Sequence, residues 1–215
     1  MERRSDGRYP RNAVVRVKIC GVTRAEDALA AEAAGADAVG VILWGSSTRR
    51  LELAQAEAVL AGLGPFVQRV GVVVDAPEAF VREAVERLRL GAVQFHGAEN
   101  ARYIARFRER VALIRALPFT PETDVDALAA MPVDALVIDG PRPGSGERFD
   151  WAVAERLRSL DRWLLAGGLT PSNVAAAVRA LDPLGVDVAS GVESTPGIKD
   201  HDEVARFVAA AKAAR

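Results

Sequence analysis

A lone cysteine, Cys20, closes the run Val17-Lys18-Ile19 and is followed at once by Gly21. A thiol at the C-terminal end of a strand sits where α/β proteins keep their chemistry, and as a thiolate it is a base or a nucleophile. Far along the chain, Asp139 closes a second apolar run, Ala135-Leu136-Val137-Ile138. A carboxyl partly withdrawn from water has a raised pKa and can donate a proton. Facing each other across one pocket, the two groups would move protons in opposite directions. Each also has a plainer reading. Free cysteines are often small buried hydrophobes, and an Asp before Gly-Pro can simply form an Asx-turn.

Other residues fit around that pair. Strand side chains alternate, so Lys18 and Cys20 share a face, and a nearby ammonium favours thiolate. If the first and last strands are neighbours, Asp187 is a counter-ion for Lys18 and weakens its pull on the thiol. Gln94 and His96 share a face of another strand. His96 reads first as a hydrogen-bonded pocket histidine and second as a catalytic one. The pairs Gly167-Gly168 and Ser190-Gly191 each follow a strand. Such loops let backbone N–H groups approach an anion, and together they predict a phosphate cradle. Residues Gly191–Ser194 would supply a helix N-terminus to it. Arg49 or Arg50 in the second loop would clamp a carboxylate at two points. Trp44 and Trp151 either line the pocket or pack, and His201 reads as a surface residue.

The elements that must position these groups alternate regularly. Strands are predicted at Val14–Ile19, Ala38–Leu43, Val67–Val74, Ala92–Phe95, Val111–Ala116, Ala135–Ile138, Trp163–Ala166 and Val186–Ala189. Helices are predicted near 24–34, 52–62, 77–88, 99–108, 122–130, 150–159, 171–181 and 200–213. Thr23 and Thr170 read as helix-start signals, Pro77 and Pro171 as first-turn residues, and Gly35, Gly64 and Gly91 as helix stops. Alternation of β and α implies a parallel sheet covered on both faces. Eight such units predict a single (β/α)₈ TIM barrel. The strand ends then read Cys20, Trp44, Asp75, His96, Leu117, Asp139, Gly167-Gly168 and Ser190-Gly191. A doubly wound sheet is the rival, but it usually carries G-x-G-x-x-G after its first strand. Here that turn reads Cys20-Gly21-Val22-Thr23, and Gly144-Ser145-Gly146 lacks a third glycine.

Composition bounds the rest. The 215 residues carry 28 Lys+Arg against 29 Asp+Glu, which argues against a nucleic-acid-binding footprint. One cysteine excludes an internal disulfide and suits a reducing compartment. No uninterrupted apolar run reaches about 18 residues, so no membrane span is expected. Residues 1–12 are basic and polar and read as a poorly ordered tail. Residues 13–215 read as one catalytic barrel domain, and its expected location is cytoplasmic.

The motifs VKICGVTR (17–24), AGADAVGVI (34–42), RVGVVVD (69–75), VQFHG (93–97), GSGERFDW (144–151), LAGGLTPSNV (165–174) and VDVASGVESTPGIKD (186–200) together resemble the phosphoribosylanthranilate isomerases of tryptophan biosynthesis. That resemblance implies a (β/α)₈ fold and a cofactor-free Amadori rearrangement. The substrate would be N-(5-phosphoribosyl)anthranilate and the product 1-(2-carboxyphenylamino)-1-deoxyribulose 5-phosphate. It implies Cys20 as general base and Asp139 as general acid. Arg49 would sit at the substrate carboxylate, with Gly167, Gly168, Ser190 and Gly191 at the phosphate. Lys18, Gln94, His96 and Asp187 would support them. The expected partner is a small phosphosugar, with no metal, nucleic acid or membrane, in a monomer or homodimer. The chain departs from the family pattern at Thr48 and Arg50 in the second loop and at Pro143–Arg148 in the sixth. A related histidine-pathway isomerase would carry aspartate in place of Cys20 and a second glycine pair near Asp75. A non-catalytic phosphate-binding barrel would lack the acid–base pair.

Overall fold

The computed structural model describes residues 14–140 and 154–215. The tail at 1–12, the Gly144-Ser145-Gly146 fragment, the loop Pro143–Arg148 and Trp151 lie outside the described residues, as does the start of the helix expected at 150–159.

Short Val- and Ile-rich runs become strands because branched side chains pack well on a pleated surface. They are β1 (Arg16–Ile19), β2 (Ala38–Ile42), β3 (Gln68–Val73), β4 (Ala92–Phe95), β5 (Ala112–Pro118), β6 (Ala135–Asp139), β7 (Trp163–Leu165) and β8 (Gly185–Val188). All pair in parallel with their sequence neighbours, and β1 also pairs with β8, which closes the barrel. In that closing seam Val17 lies opposite Val186 and Lys18 opposite Asp187. The outer helices are α1 (Ala25–Ala33), α2 (Leu53–Leu60), α3 (Glu78–Leu88), α4 (Ala101–Ile104), α5 (Val125–Ala129), α6 (Val174–Leu181) and α7 (His201–Lys212). A small antiparallel hairpin, β9 (Glu193–Thr195) with β10 (Ile198–Lys199), follows the eighth barrel strand.

Alternation along the strands sorts side chains between two cores. Val17, Ile19, Val93, Phe95, Leu136 and Ile138 join the large layer between strands and helices. Ala92 and Val137 belong to the small cluster inside the barrel, together with Val70, Ile114, Ala116 and Ala166. Period two then sends Gln94, His96 and Asp139 to the interior side. By the same count Lys18, Cys20 and Asp187 face inward.

Several helix signals resolve differently from expectation. Thr23 does not cap α1; Arg24 holds the N-cap position, and Thr23 Oγ1 donates to the Gly197 carbonyl at 2.5 Å. Thr170 does not cap α6 either. The helix starts later, after Asn173, whose Oδ1 accepts from the Thr170 N–H at 2.8 Å. Gly35 ends α1 in the left-handed region, as read. The left-handed stop of α3 is Arg89 rather than Gly91. The helix expected at 99–108 is split into α4 and a 3-10 turn at Ala105–Phe107.

Candidate active site

A cavity of about 340 Å³ opens at the C-terminal ends of the strands. Cys20, Trp44, Arg49, Gln94, His96, Asp139, Gly167, Gly168, Asp187, Ser190 and Gly191 all line it. Two of the strand ends do not. Leu117 is absent from the wall, and Asp75 turns away with φ 53°, its Oδ1 accepting from the Ala98 N–H at 2.7 Å. Trp44 both lines the cavity and packs on Phe80, with ring centroids 4.7 Å apart.

Cys20 follows β1, and its N–H donates to the Val188 carbonyl at 2.8 Å. The residue is buried at 8% exposure, yet it reaches the cavity wall. Beneath it, Lys18 Nζ donates to Asp187 Oδ1 at 2.9 Å, the counter-ion pairing expected from the sequence. Burial pushes the Cys20 thiol above its ordinary range. The Lys18 ammonium pulls it down, and the Asp187 carboxylate adds to the upward push. The directions expected from the sequence hold, Lys18 favouring the thiolate and Asp187 weakening that pull, but burial is the larger effect and leaves the thiol pKa raised. Much of the lysine's field is neutralised by Asp187, and desolvation wins. Burial also works against the Lys18 charge, but Asp187 and then Cys20 outweigh it and raise its pKa.

Space for these side chains comes from a residue the sequence reading passed over. Gly40 in β2 lies directly across from them. A Cβ there would meet Cys20 Sγ and Lys18 Cε at 3.1 Å and Lys18 Nζ at 3.2 Å. Only a missing side chain admits a lysine and a thiol on this patch of wall.

Asp139 ends β6 and is 8% exposed. Its Oδ1 accepts from the Gly140 N–H at 2.7 Å, and the residue lines the cavity. Gly167 presses against the same oxygen. Its φ is +85°, and a Cβ would lie 2.4 Å from Asp139 Oδ1. Gly191 is tighter still, since a Cβ would fall 1.8 Å from the Leu169 carbonyl oxygen. The two glycine loops thus interlock backbone to backbone. The helix expected at Gly191–Ser194 is instead a single 3-10 turn, Ser190–Val192, that leads into β9.

Gln94 is buried on the cavity wall, and among the described residues its Oε1 has no hydrogen-bond partner. Burial pushes the His96 imidazole below its ordinary range, which favours the neutral ring. His201 opens α7 and is partly exposed, but its Nε2 lies 2.9 Å from Asp27 Oδ1.

Of the two arginines, Arg49 lines the cavity. Arg50 turns outward, pairing with Glu52 at 2.6 Å and lying 5.7 Å from the Trp44 ring centroid. Arg49 grips Glu193 through Nε at 2.7 Å and Nη2 at 2.6 Å. The buried Lys199 Nζ donates to the same carboxylate at 2.8 Å and to the Ala189 carbonyl at 2.9 Å. Burial works against the Glu193 charge, but the bonds from Arg49 and Lys199 hold its pKa below the usual range. The sequence reading assigned nothing to Glu193 or Lys199. The available signal was two ionisable residues inside the otherwise small and neutral stretch Ala189–Lys199.

Comparison with known proteins places this geometry. The model of the family described as N-(5'phosphoribosyl)anthranilate (PRA) isomerase matches residues 17–210. An N-(5'-phosphoribosyl)anthranilate isomerase of Cellvibrio japonicus is 43% identical over 201 residues, covering 91% of this chain and 92% of that one. A crystal structure of the Thermus thermophilus phosphoribosyl anthranilate isomerase superposes with a TM-score of 0.86 at 42% identity, covering 94% of this chain and all (100%) of that one. Another solved isomerase is described as a complex with reduced 1-(o-carboxyphenylamino)-1-deoxyribulose 5-phosphate. It superposes with a TM-score of 0.84 at 36% identity, over 93% of this chain and 99% of that one.

Proposed function

The chain belongs to the N-(5'-phosphoribosyl)anthranilate isomerase family, and from that premise we propose that Cys20 and Asp139 are the base and the acid of its reaction. The reaction is an Amadori rearrangement in tryptophan biosynthesis, which turns an aldose-derived amine into a ketose. It needs one proton delivered to the ring oxygen of N-(5-phosphoribosyl)anthranilate and one removed from sugar C2.

Asp139, protonated, donates to the furanose oxygen. The C1–O bond breaks, and the nitrogen lone pair forms an iminium ion. That cation acidifies the C2–H, which Cys20 removes as a thiolate. The electron pair moves to C1=C2, and the resulting enolamine tautomerises to the ketone. A thiol with a raised pKa is a scarce thiolate but a stronger base once formed, and the iminium charge developing beside it favours ionisation. Each proton transfer contributes about 10²–10⁴ in rate. Arg49 takes the anthranilate carboxylate, while the backbone of the Gly167-Gly168 and Ser190-Gly191 loops takes the phosphate. Holding both ends fixes C2 against the thiol. Gln94 and a neutral His96 support the sugar from the cavity wall.

The observation that carries the assignment is that a buried thiol and a buried carboxyl, from the ends of β1 and β6, line one cavity of a size suited to a small ligand. The test follows the fluorescence of phosphoribosylanthranilate as it is consumed. Cys20→Ala and Asp139→Asn should each lose at least about 10²-fold in kcat while still binding the reduced product analogue. Turnover near that of the parent enzyme in either variant overturns its role. We further assign residues 13–215 to one catalytic domain and the enzyme to the cytoplasm. Among the described residues no helix is long and apolar enough to cross a membrane.

A further inference from the structure

Arg49, Glu193 and Lys199 form a three-membered charge cluster that runs from the cavity wall into the β9–β10 hairpin. Glu193 is buried, with 4% of its side chain exposed, and the Lys199 side chain is fully enclosed. Two of the three guanidinium nitrogens of Arg49 are committed to Glu193, while Nη1 makes no hydrogen bond among the described residues. One carboxylate between two cations leaves an excess of one positive charge. Arg49 is the only member of the trio on the cavity wall. Lys199 ties the carboxylate from behind to the Ala189 carbonyl, one residue before the Ser190-Gly191 loop. The hairpin that carries both is itself pinned: the Lys199 N–H donates to buried Asp27 at 3.1 Å, and Gly197 accepts from Thr23 at 2.5 Å.

We propose that Glu193, braced by Lys199, is a positioning residue that aims the free edge of Arg49 at the carboxylate of the substrate. The idea rests on the reading of Arg49 given above. A guanidinium is a rigid planar fork, so a two-point grip on one edge fixes the direction of the other. An unheld arginine would lose side-chain rotamer freedom on binding. Glu193 removes that loss in advance, and its charge keeps the site from carrying two unbalanced cations in the free enzyme. Lysine cannot replace Arg49 here. One ammonium cannot both saturate Glu193 and present a fixed donor edge to a ligand.

The experiment compares steady-state kinetics for two substrates, phosphoribosylanthranilate and the corresponding aniline derivative, which lacks the carboxylate. Glu193→Gln is expected to raise KM for the anthranilate substrate about tenfold, with kcat changed by less than about threefold, the pattern of lost uniform binding. For the aniline substrate the same change should leave KM within about twofold. In the Arg49→Ala background, Glu193→Gln should add little, because the two act as a unit. Arg49→Lys, which leaves the hairpin intact if Glu193→Gln folds poorly, should behave like Arg49→Ala. A KM near that of the parent enzyme in both Glu193→Gln and Arg49→Lys, or equal penalties for the two substrates, overturns the proposal. The underlying reading fails separately, if Arg49→Ala leaves KM for the anthranilate substrate unchanged.

Discussion

Cys20 is an acid whose protonated form the fold prefers. Its pKa is raised, chiefly by burial, so the reactive thiolate becomes more abundant as pH rises from neutral. Turnover is therefore expected to climb from pH 7 into the alkaline range, and the profile measured in constant ionic strength should lose this limb in Cys20→Ala. Stability runs the opposite way. The unfolded thiol ionises near about pH 8.5, while the folded one still holds its proton. Above that pH the native state binds more protons than the unfolded state, so unfolding becomes easier as pH rises, until the folded pKa is reached. Denaturant melts at pH 7 and pH 9.5 should show a loss for the parent enzyme that is smaller in Cys20→Ala. Both signs follow from one shift, so opposite results in either measurement would contradict it.

At the scale of elements, the site is made as much by missing side chains as by present ones. Gly40 in β2 leaves the room that Lys18 and Cys20 occupy, with a hypothetical Cβ 3.1 Å from both. Gly40→Ala is expected to displace the thiol and cut kcat well beyond any change in KM, which kinetics at saturating substrate will read. Gly191 differs, because its neighbour is a backbone carbonyl that cannot rotate away, 1.8 Å from a built Cβ. In Gly191→Ala the two phosphate loops must part. KM should rise, and competitive inhibition by inorganic phosphate should weaken. Inhibition equal to that of the parent enzyme would remove these loops from the phosphate site.

Lys18 and Asp187 do two things for the whole molecule. They join the first and last strands where the barrel closes, and they set the field under the thiol. The pair is almost fully enclosed, at 2% and 8% side-chain exposure. Removing one partner from such a pair strands a buried charge, at a cost of about 3–5 kcal/mol. Asp187→Asn should therefore lower the melting temperature sharply. Replacing both, as Lys18→Met with Asp187→Leu, should recover most of that stability, since apolar packing often equals a buried pair. It should not recover activity at neutral pH, because the thiol then loses the cation that pulls its pKa down most. Far from the mouth, Phe66 in the loop before β3 is 96% exposed. Sedimentation of the parent enzyme and Phe66→Ser separates the two assemblies expected from the sequence. A homodimer that uses this residue halves in mass, and a monomer keeps both its mass and its melting temperature.

The fold was legible early because its signal is repetitive. Eight Val/Ile runs, each followed by a helical stretch, admit few closures, and period two then says which residues point inward. Lys18, Cys20, Gln94, His96 and Asp139 could all be placed on one side of the wall by counting. Their company was legible only in part. Lys18–Asp187 could be expected, because closure makes the first and last strands neighbours, but Arg49–Glu193, joining residues 144 apart, could not. A charge pattern along the chain holds no record of distances that only barrel closure creates. The same gap explains the thiol. Lys18 and Asp187 could both be placed beneath it from the sequence, but the sign of the shift depends on the depth of burial, which packing sets. Thr23 and Thr170 do not cap their helices because the Thr23 hydroxyl donates to the Gly197 carbonyl and the Thr170 hydroxyl pairs with that of Ser172. Residue types and periodicity thus fixed the architecture and the chemical candidates. That Glu193 holds Arg49, that burial outweighs Lys18 at the thiol, and that Gly40 yields its space were decided only in three dimensions, where desolvation and contact act together.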